Sequence, residues 1–142
     1  MARLAARLRS QNIERSIGVP QWFDSGAIAE FLRGRPTVTR ADRSCAVGYQ
    51  LSPDGGAATA FVLVEDGDEY PSWIADGIDK AARDAGQRGA IRFDAWVPEW
   101  NLRLMEHIES LNFIHEGELK NIIHAWNRRW SVHIYACELS NS

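Results

Sequence analysis

Residues 57–65 read AATAFVLVE, an almost unbroken apolar run. A strand facing water on one side alternates apolar with polar residues, so a run of this kind expects cover on both faces. It must lie inside a sheet that has packing layers above and below. The turn before it is equally clear: SPDGG separates it from a second strand pattern, 44–51 (SCAVGYQL), and Pro, Asp and Gly together are strong turn chemistry. The chain is long enough, at 142 residues, to bury a core of this kind in one domain.

The rest of the chain supplies the layers. From Pro71 to Gly86 the apolar residues Ile74, Ile78, Ala81, Ala82 and Ala85 recur at helical spacing, and Gly86 suits the end of such a helix. Residues 90–97 (AIRFDAWV) then alternate, with Ile91, Phe93, Ala95 and Val97 on one face. A second amphipathic helix spans Asn101 to Leu111 through Leu104, Ile108 and Leu111. Two strands close the chain, Ile114–Trp126 and Trp130–Leu139, around an Asn127-Arg128-Arg129 turn. Upstream, Ile28, Phe31 and Leu32 mark a short helix ending at Gly34, while Pro36–Thr39 is too short to read firmly as a strand. This order predicts an α+β domain, a mixed and mostly antiparallel sheet flanked by helices.

Composition excludes several classes. The net charge of −3 gives no general reason to expect nucleic acid, although residues 1–43 carry eight Arg against four acids and leave that arm open to an anionic or protein partner. No apolar run reaches the ~18 residues of a membrane span. Cys45 and Cys137 are too few for a disulfide framework and fall in strand patterns, so both are expected as reduced core thiols. The start, MARLAARLRSQNIERS, could pass for a transit peptide, but a short amphipathic helix is the plainer reading, and the cytoplasm is the expected compartment.

One segment carries a resemblance. Asn101 follows the alternating strand, Asn112-Phe113 stand eleven and twelve residues later, and Glu116-Gly117 open the next strand. In the GCN5-related N-acetyltransferases (GNAT) the same place shows Asn, a small residue three on, Tyr seven on, Gly-Phe at eleven and twelve, and then Glu-Gly. The chain resembles that family, most clearly from Ala90 onward and in element order over 44–139, with 1–43 as a divergent Arg-rich region of the same single domain. Tailed phages encode small acetyltransferase-like proteins that look similar in size and in this stronger C-terminal half.

The resemblance implies acetyl-CoA as acyl donor, an amine as acceptor, and a homodimer as one assembly state. It implies donor contacts at Val64, Ser72, Trp73 and Asn101, no metal, and a general base at Glu65, with Asp66 as a weaker version. The family's Tyr falls on Ile108, which has no proton to give, and its neighbour His107 points about 100° away around the helix. His107 remains a catalytic candidate beside the plainer reading of an exposed helix histidine. The family's small residue is Leu104 here, and its Gly is Asn112, the usual second choice at a left-handed helix end.

The phosphate loop departs furthest. Where the family has Arg/Gln-x-x-Gly-x-Gly/Ala ahead of a helix, this chain has Glu65-Asp66-Gly67-Asp68-Glu69-Tyr70-Pro71. Helix amides near Ser72 suit an anion, but each carboxylate ~4 Å from a phosphate costs on the order of 1 kcal/mol. Several outweigh the roughly 0.3–1 kcal/mol from a helix end, which argues against ordinary CoA binding and for a second reading, a non-catalytic binding or assembly protein of the same fold.

Six tryptophans stand at 22, 73, 96, 100, 126 and 130. Four lie near the fifth family strand and the terminal hairpin, as an aromatic pocket or as packing. Cross-strand pairing is expected to bring His124 towards His133, with His115 nearby, a weak metal signal without a carboxylate or Cys at ligand spacing.

Overall fold

The computed structural model describes residue 17 and residues 30–40, 45–64, 72–125 and 127–139. Its strands are β1 (Thr37–Thr39), β2 (Cys45–Leu51), β3 (Ala57–Val64), β4 (Arg92–Pro98), β5 (Ile114–Ala125) and β6 (Arg128–Glu138). Helix α1 (Trp73–Gln87) joins β3 to β4, and α2 (Leu102–Glu109) joins β4 to β5. They form one six-stranded sheet in the order β1-β2-β3-β4-β6-β5, antiparallel throughout except for β3 beside β4. A parallel pair needs a crossover, and α1 provides it.

The apolar run behaves as its composition demands: Ala58 and every residue from Ala60 to Val64 are buried. Ala58, Ala60, Val62 and Val64 join Val47 and Tyr49 of β2, Phe93, Ala95 and Val97 of β4, and Tyr135 of β6 in a single core. Ile74, Ile78, Ala81, Ala82 and Ala85 of α1, with Leu104, Met105 and Ile108 of α2, close it. Each large side chain fully buried there contributes roughly 1.5–3 kcal/mol. Phe93 anchors the centre, making edge contacts with Tyr49 (6.2 Å) and Phe113 (6.1 Å). Leu32, Phe61 and Leu63 are also buried, outside that core, with Phe31 edge-on to Phe61 at 5.4 Å. Gly48 is glycine because a Cβ would lie 2.3 Å from the Phe61 ring and 2.4 Å from the Pro36 carbonyl.

Several expectations need correction. Gly86 does not end α1: it is a buried position inside the helix, and Gly89, at φ +98°, takes the left-handed conformation. Ile91 precedes β4 and is 60% exposed, while Phe93, Ala95 and Val97 are fully buried as the alternation requires. Helix α2 is shorter than 101–111, with Asn101 as its cap. Thr37–Thr39 is a true edge strand, and Arg128 belongs to β6, not to the turn. Cys45 is a buried thiol, whereas Cys137 is half-exposed, where burial pushes its thiol up from the ordinary range.

Candidate functional site

A local feature that could admit a ligand is the gap between β3 and β4. The two strands pair at only three positions, Ala57 with Arg92, Ala58 with Phe93 and Thr59 with Asp94. Beyond Thr59 and Asp94 they part, although β3 runs on to Val64 and β4 to Pro98. β2 holds the far side of β3 as far as Val64, and β6 holds the far side of β4 as far as Pro98. Both strands are therefore tied to outer neighbours while their facing edges separate.

Backbone direction shows what lines this gap. Cys45 accepts from the Arg40 N–H (3.0 Å) and the Tyr49 N–H donates to Pro36 (3.2 Å), so odd-numbered β2 residues bond towards β1. Even-numbered β2 residues then bond to Thr59, Phe61 and Leu63, which leaves Ala60 and Val62 with their peptide groups towards β4. Ile17 meets them there. Its N–H donates to the Val62 carbonyl at 2.9 Å, and its carbonyl accepts the Val62 N–H at 3.0 Å. With 4% of its surface exposed, Ile17 also joins the core. No local pattern in the sequence marks this long-range contact.

Asn101, three residues past the end of β4, is 4% exposed. Its Oδ1 accepts the Leu104 N–H at 3.3 Å and caps α2, whereas its buried Nδ2 has no partner among the described residues. A buried amide donor without an acceptor costs about 1–3 kcal/mol, so this group is a natural contact for a ligand carbonyl. At the other side of the gap, Val64 ends β3 fully buried. Ser72 stands at the N-cap of α1 but gives its amides no side-chain hydrogen bond, and Trp73 is half-buried against the core. Those amides form the positive end of a 15-residue helix.

Glu65, the expected base, and the acidic stretch from Asp66 to Glu69 lie outside the described residues. Ile108 is fully buried in the core, so the position of the family's Tyr offers packing and no proton. His107 is half-buried on α2; burial lowers its pKa, the Glu106 carboxylate opposes that shift, and Arg103 adds to it. Trp100 and Trp130 stack edge to face at 5.4 Å, and Arg128 covers the Trp130 ring at 3.7 Å. Trp96 is 44% exposed, and Trp22 and Trp126 lie outside the described residues, so the described tryptophans form a pair and not a four-ring pocket.

The histidines are arranged differently from the expectation. His124 pairs with Arg129 across the hairpin, and it is His115 that reaches His133, at 2.9 Å between Nε2 and Nδ1. A β-bulge at Glu116 and a second irregularity between Leu119 and Ile123 shift the register. Beside them the Tyr135 hydroxyl donates to Glu109 at 2.8 Å, and burial together with that bond pushes its pKa up to about 12.

No protein-family model and no curated protein matches the chain. Solved structures do match along nearly its whole length. The yncA protein of Salmonella typhimurium, solved with its cofactor acetyl-CoA, superposes with a TM-score of 0.79 at 12% identity, over 99% of this chain and 87% of that one. RimL, the ribosomal L7/L12 alpha-N-protein acetyltransferase in complex with coenzyme A, gives 0.77 at 13% identity over 99% and 88%. The ribosomal-protein-S18-alanine N-acetyltransferase from Escherichia coli gives 0.72 at 16% identity over 98% and 88%. This chain has the fold of the GNAT N-acetyltransferases. Among the described residues, no helix is long and apolar enough to cross a membrane.

Proposed function

We propose that this protein is an N-acyltransferase that moves an acetyl or longer acyl group from an acyl-CoA to an amine, with the donor entering between β3 and β4. The observation that carries this reading is the parting of the two parallel strands after Thr59 and Asp94. An extended amide-bearing arm such as pantetheine can add to an open strand edge by main-chain hydrogen bonds. Val62 would present such an edge once its two hydrogen bonds to Ile17 are displaced, and the Asn101 Nδ2 is a further donor for a carbonyl of the arm. The amides at the start of α1, near Ser72 and Trp73, would take the diphosphate, where the helix end favours an anion.

Transfer needs no covalent enzyme intermediate. The acceptor nitrogen, deprotonated by Glu65 directly or through water, attacks the thioester carbonyl. A strand-edge N–H, that of Val62 released from the Ile17 carbonyl, would stabilise the oxyanion. The C–S bond breaks, and the thiolate leaves with a proton from solvent, because Ile108 holds the place of a Tyr acid. The acceptor is a small molecule or a protein amine; two of the similar structures are named for ribosomal-protein N-termini or alanine.

A second reading, a GNAT-fold protein kept for binding or assembly, rests on one observation. Both Val62 backbone groups facing the gap are already bonded to Ile17, so a donor must displace that contact. Thermal denaturation with and without millimolar acetyl-CoA decides between them. A ligand at 100 times its Kd adds about 2.7 kcal/mol of stability, a rise of several degrees. No rise with acetyl-CoA or longer acyl-CoAs overturns the enzyme reading. A rise with no thiol release, across a panel of amines, leaves a donor-binding protein without transfer. Full activity in Glu65→Gln removes Glu65 as base.

A further inference from the structure

We propose that Glu99, Glu118 and His133 form a binding site for a divalent transition-metal cation of the zinc class, built from none of the residues assigned to acyl transfer. One ligand atom from each of the three lies within 4.8 Å of the other two. They come from three separate segments: the residue after β4, the middle of β5 and the middle of β6. Two carboxylates and one imidazole match the ligand chemistry of zinc, and three protein ligands leave a coordination position open.

The bulge at Glu116 builds the cluster. His115 pairs with Tyr135 and Gly117 with Ile134, so Glu116 is an extra residue on β5. Strict alternation would place His115 and Glu118 on opposite faces. The extra residue restores Glu118 to the His115 side, directly opposite His133. Glu116 itself turns away to Arg92, at 2.6 Å. Glu99 is fixed from the other side: its N–H donates to the Ser131 carbonyl at 2.9 Å, and its Oε1 accepts the Ser131 N–H at 3.1 Å.

His115 completes the arrangement as an orienting group. In the tautomer in which His133 Nδ1–H donates to His115 Nε2, 2.9 Å away, the Nε2 lone pair of His133 is left for a cation. The cation near these carboxylates is Arg128, 3.8 Å from Glu99, and its guanidinium is stacked on Trp130 at 3.7 Å. Two carboxylates thus converge on one imidazole, with Arg128 as the counter-charge among the described residues.

The test is calorimetric titration of tag-free, chelator-treated protein with Zn²⁺, and visible spectroscopy with Co²⁺. The expected result is one ion per chain with ligand-field bands of low coordination number. Affinity should fall ~10–100-fold in His115→Ala, fall further in His133→Ala and Glu118→Gln, and stay unchanged in His124→Ala. Glu118 is exposed, so Glu118→Gln carries the test if His133→Ala does not fold. Absence of Zn²⁺ binding up to millimolar concentration overturns the site. So does binding that survives both Glu118→Gln and His133→Ala, or that is lost equally in His124→Ala.

Discussion

The two strand pairs at the centre and at the edge of the sheet solve opposite problems. β3 and β4 share three registered positions and then separate inside the most deeply buried part of the molecule. β5 and β6 stay paired at both ends of the hairpin through two irregularities, although most β5 side chains are exposed. The difference lies in what holds each strand. β3 and β4 are fixed by outer neighbours and by helices packed on the core, so their facing edges can part without unfolding either. β5 has β6 as its one neighbour and keeps its own ladder, and its side chains are left for polar chemistry. A gap in the interior offers backbone groups; a bulged hairpin at the edge offers carboxylates and imidazoles.

The largest effect is expected where the closed end of β3/β4 meets the core. Phe93 is fully buried and touches Tyr49 and Phe113. Phe93→Ala should cost about 3–5 kcal/mol in chemical denaturation. A loss under about 1 kcal/mol would mean that the strands are not anchored at this end. Next comes the open end. Ile17→Ala should cost about 2 kcal/mol by loss of buried methyl groups, while acetyl-CoA binds several-fold more tightly because the contact it must displace is weaker. Weaker acetyl-CoA binding in this variant would show that Ile17 supports the site and does not compete for it.

These two positions also show what was legible in the sequence. Phe93, Ala95 and Val97 announced their burial by period-two alternation, and the 57–65 run announced cover on both faces. Which strand lies beside β3, and where the pair parts, follow from long-range packing that alternation does not encode. Ile17 is the extreme case, an isolated bridge 45 residues before its partner Val62. In the hairpin the sequence points to His115 and His133 but not to Glu118, which simple alternation separates from His115 and only the extra residue at Glu116 reunites with it. Ile91 and Gly86 misled for a local reason. The strand begins one residue after Ile91 and the helix runs one residue past Gly86, and Gly89 is the residue that needs the left-handed conformation.

A smaller effect separates two roles of Asn101. Losing the cap of α2 in Asn101→Ala should cost about 1 kcal/mol. Asn101→Asp keeps an oxygen to accept the Leu104 N–H and replaces the unpartnered Nδ2 donor with a second oxygen. Under the proposed function, Asp loses less stability than Ala but raises the KM for acetyl-CoA as much. If Asp leaves KM unchanged, Nδ2 does not contact the donor.

The smallest effect concerns the ion pair made by the bulged residue. Arg92 reaches Glu116 at 2.6 and 3.1 Å and Asp94 at 2.5 Å, and those bonds, Glu116 first, raise its pKa above the ordinary arginine value. Arg92 and Glu116 are 39% and 41% exposed, so water and salt screen most of the attraction. Glu116→Gln should cost about 0.2–1 kcal/mol at low salt and nothing measurable near 1 M salt, where the Debye length is about 3 Å. The variant also tests whether this bond or the rest of the ladder sets the bulge. β5 is paired on both sides of Glu116, so the ladder should keep the register and leave Zn²⁺ affinity within about twofold. A fall as large as that of His115→Ala would transfer control of the hairpin site to the Arg92 contact, and would make the edge of the sheet as dependent on β4 as the gap is.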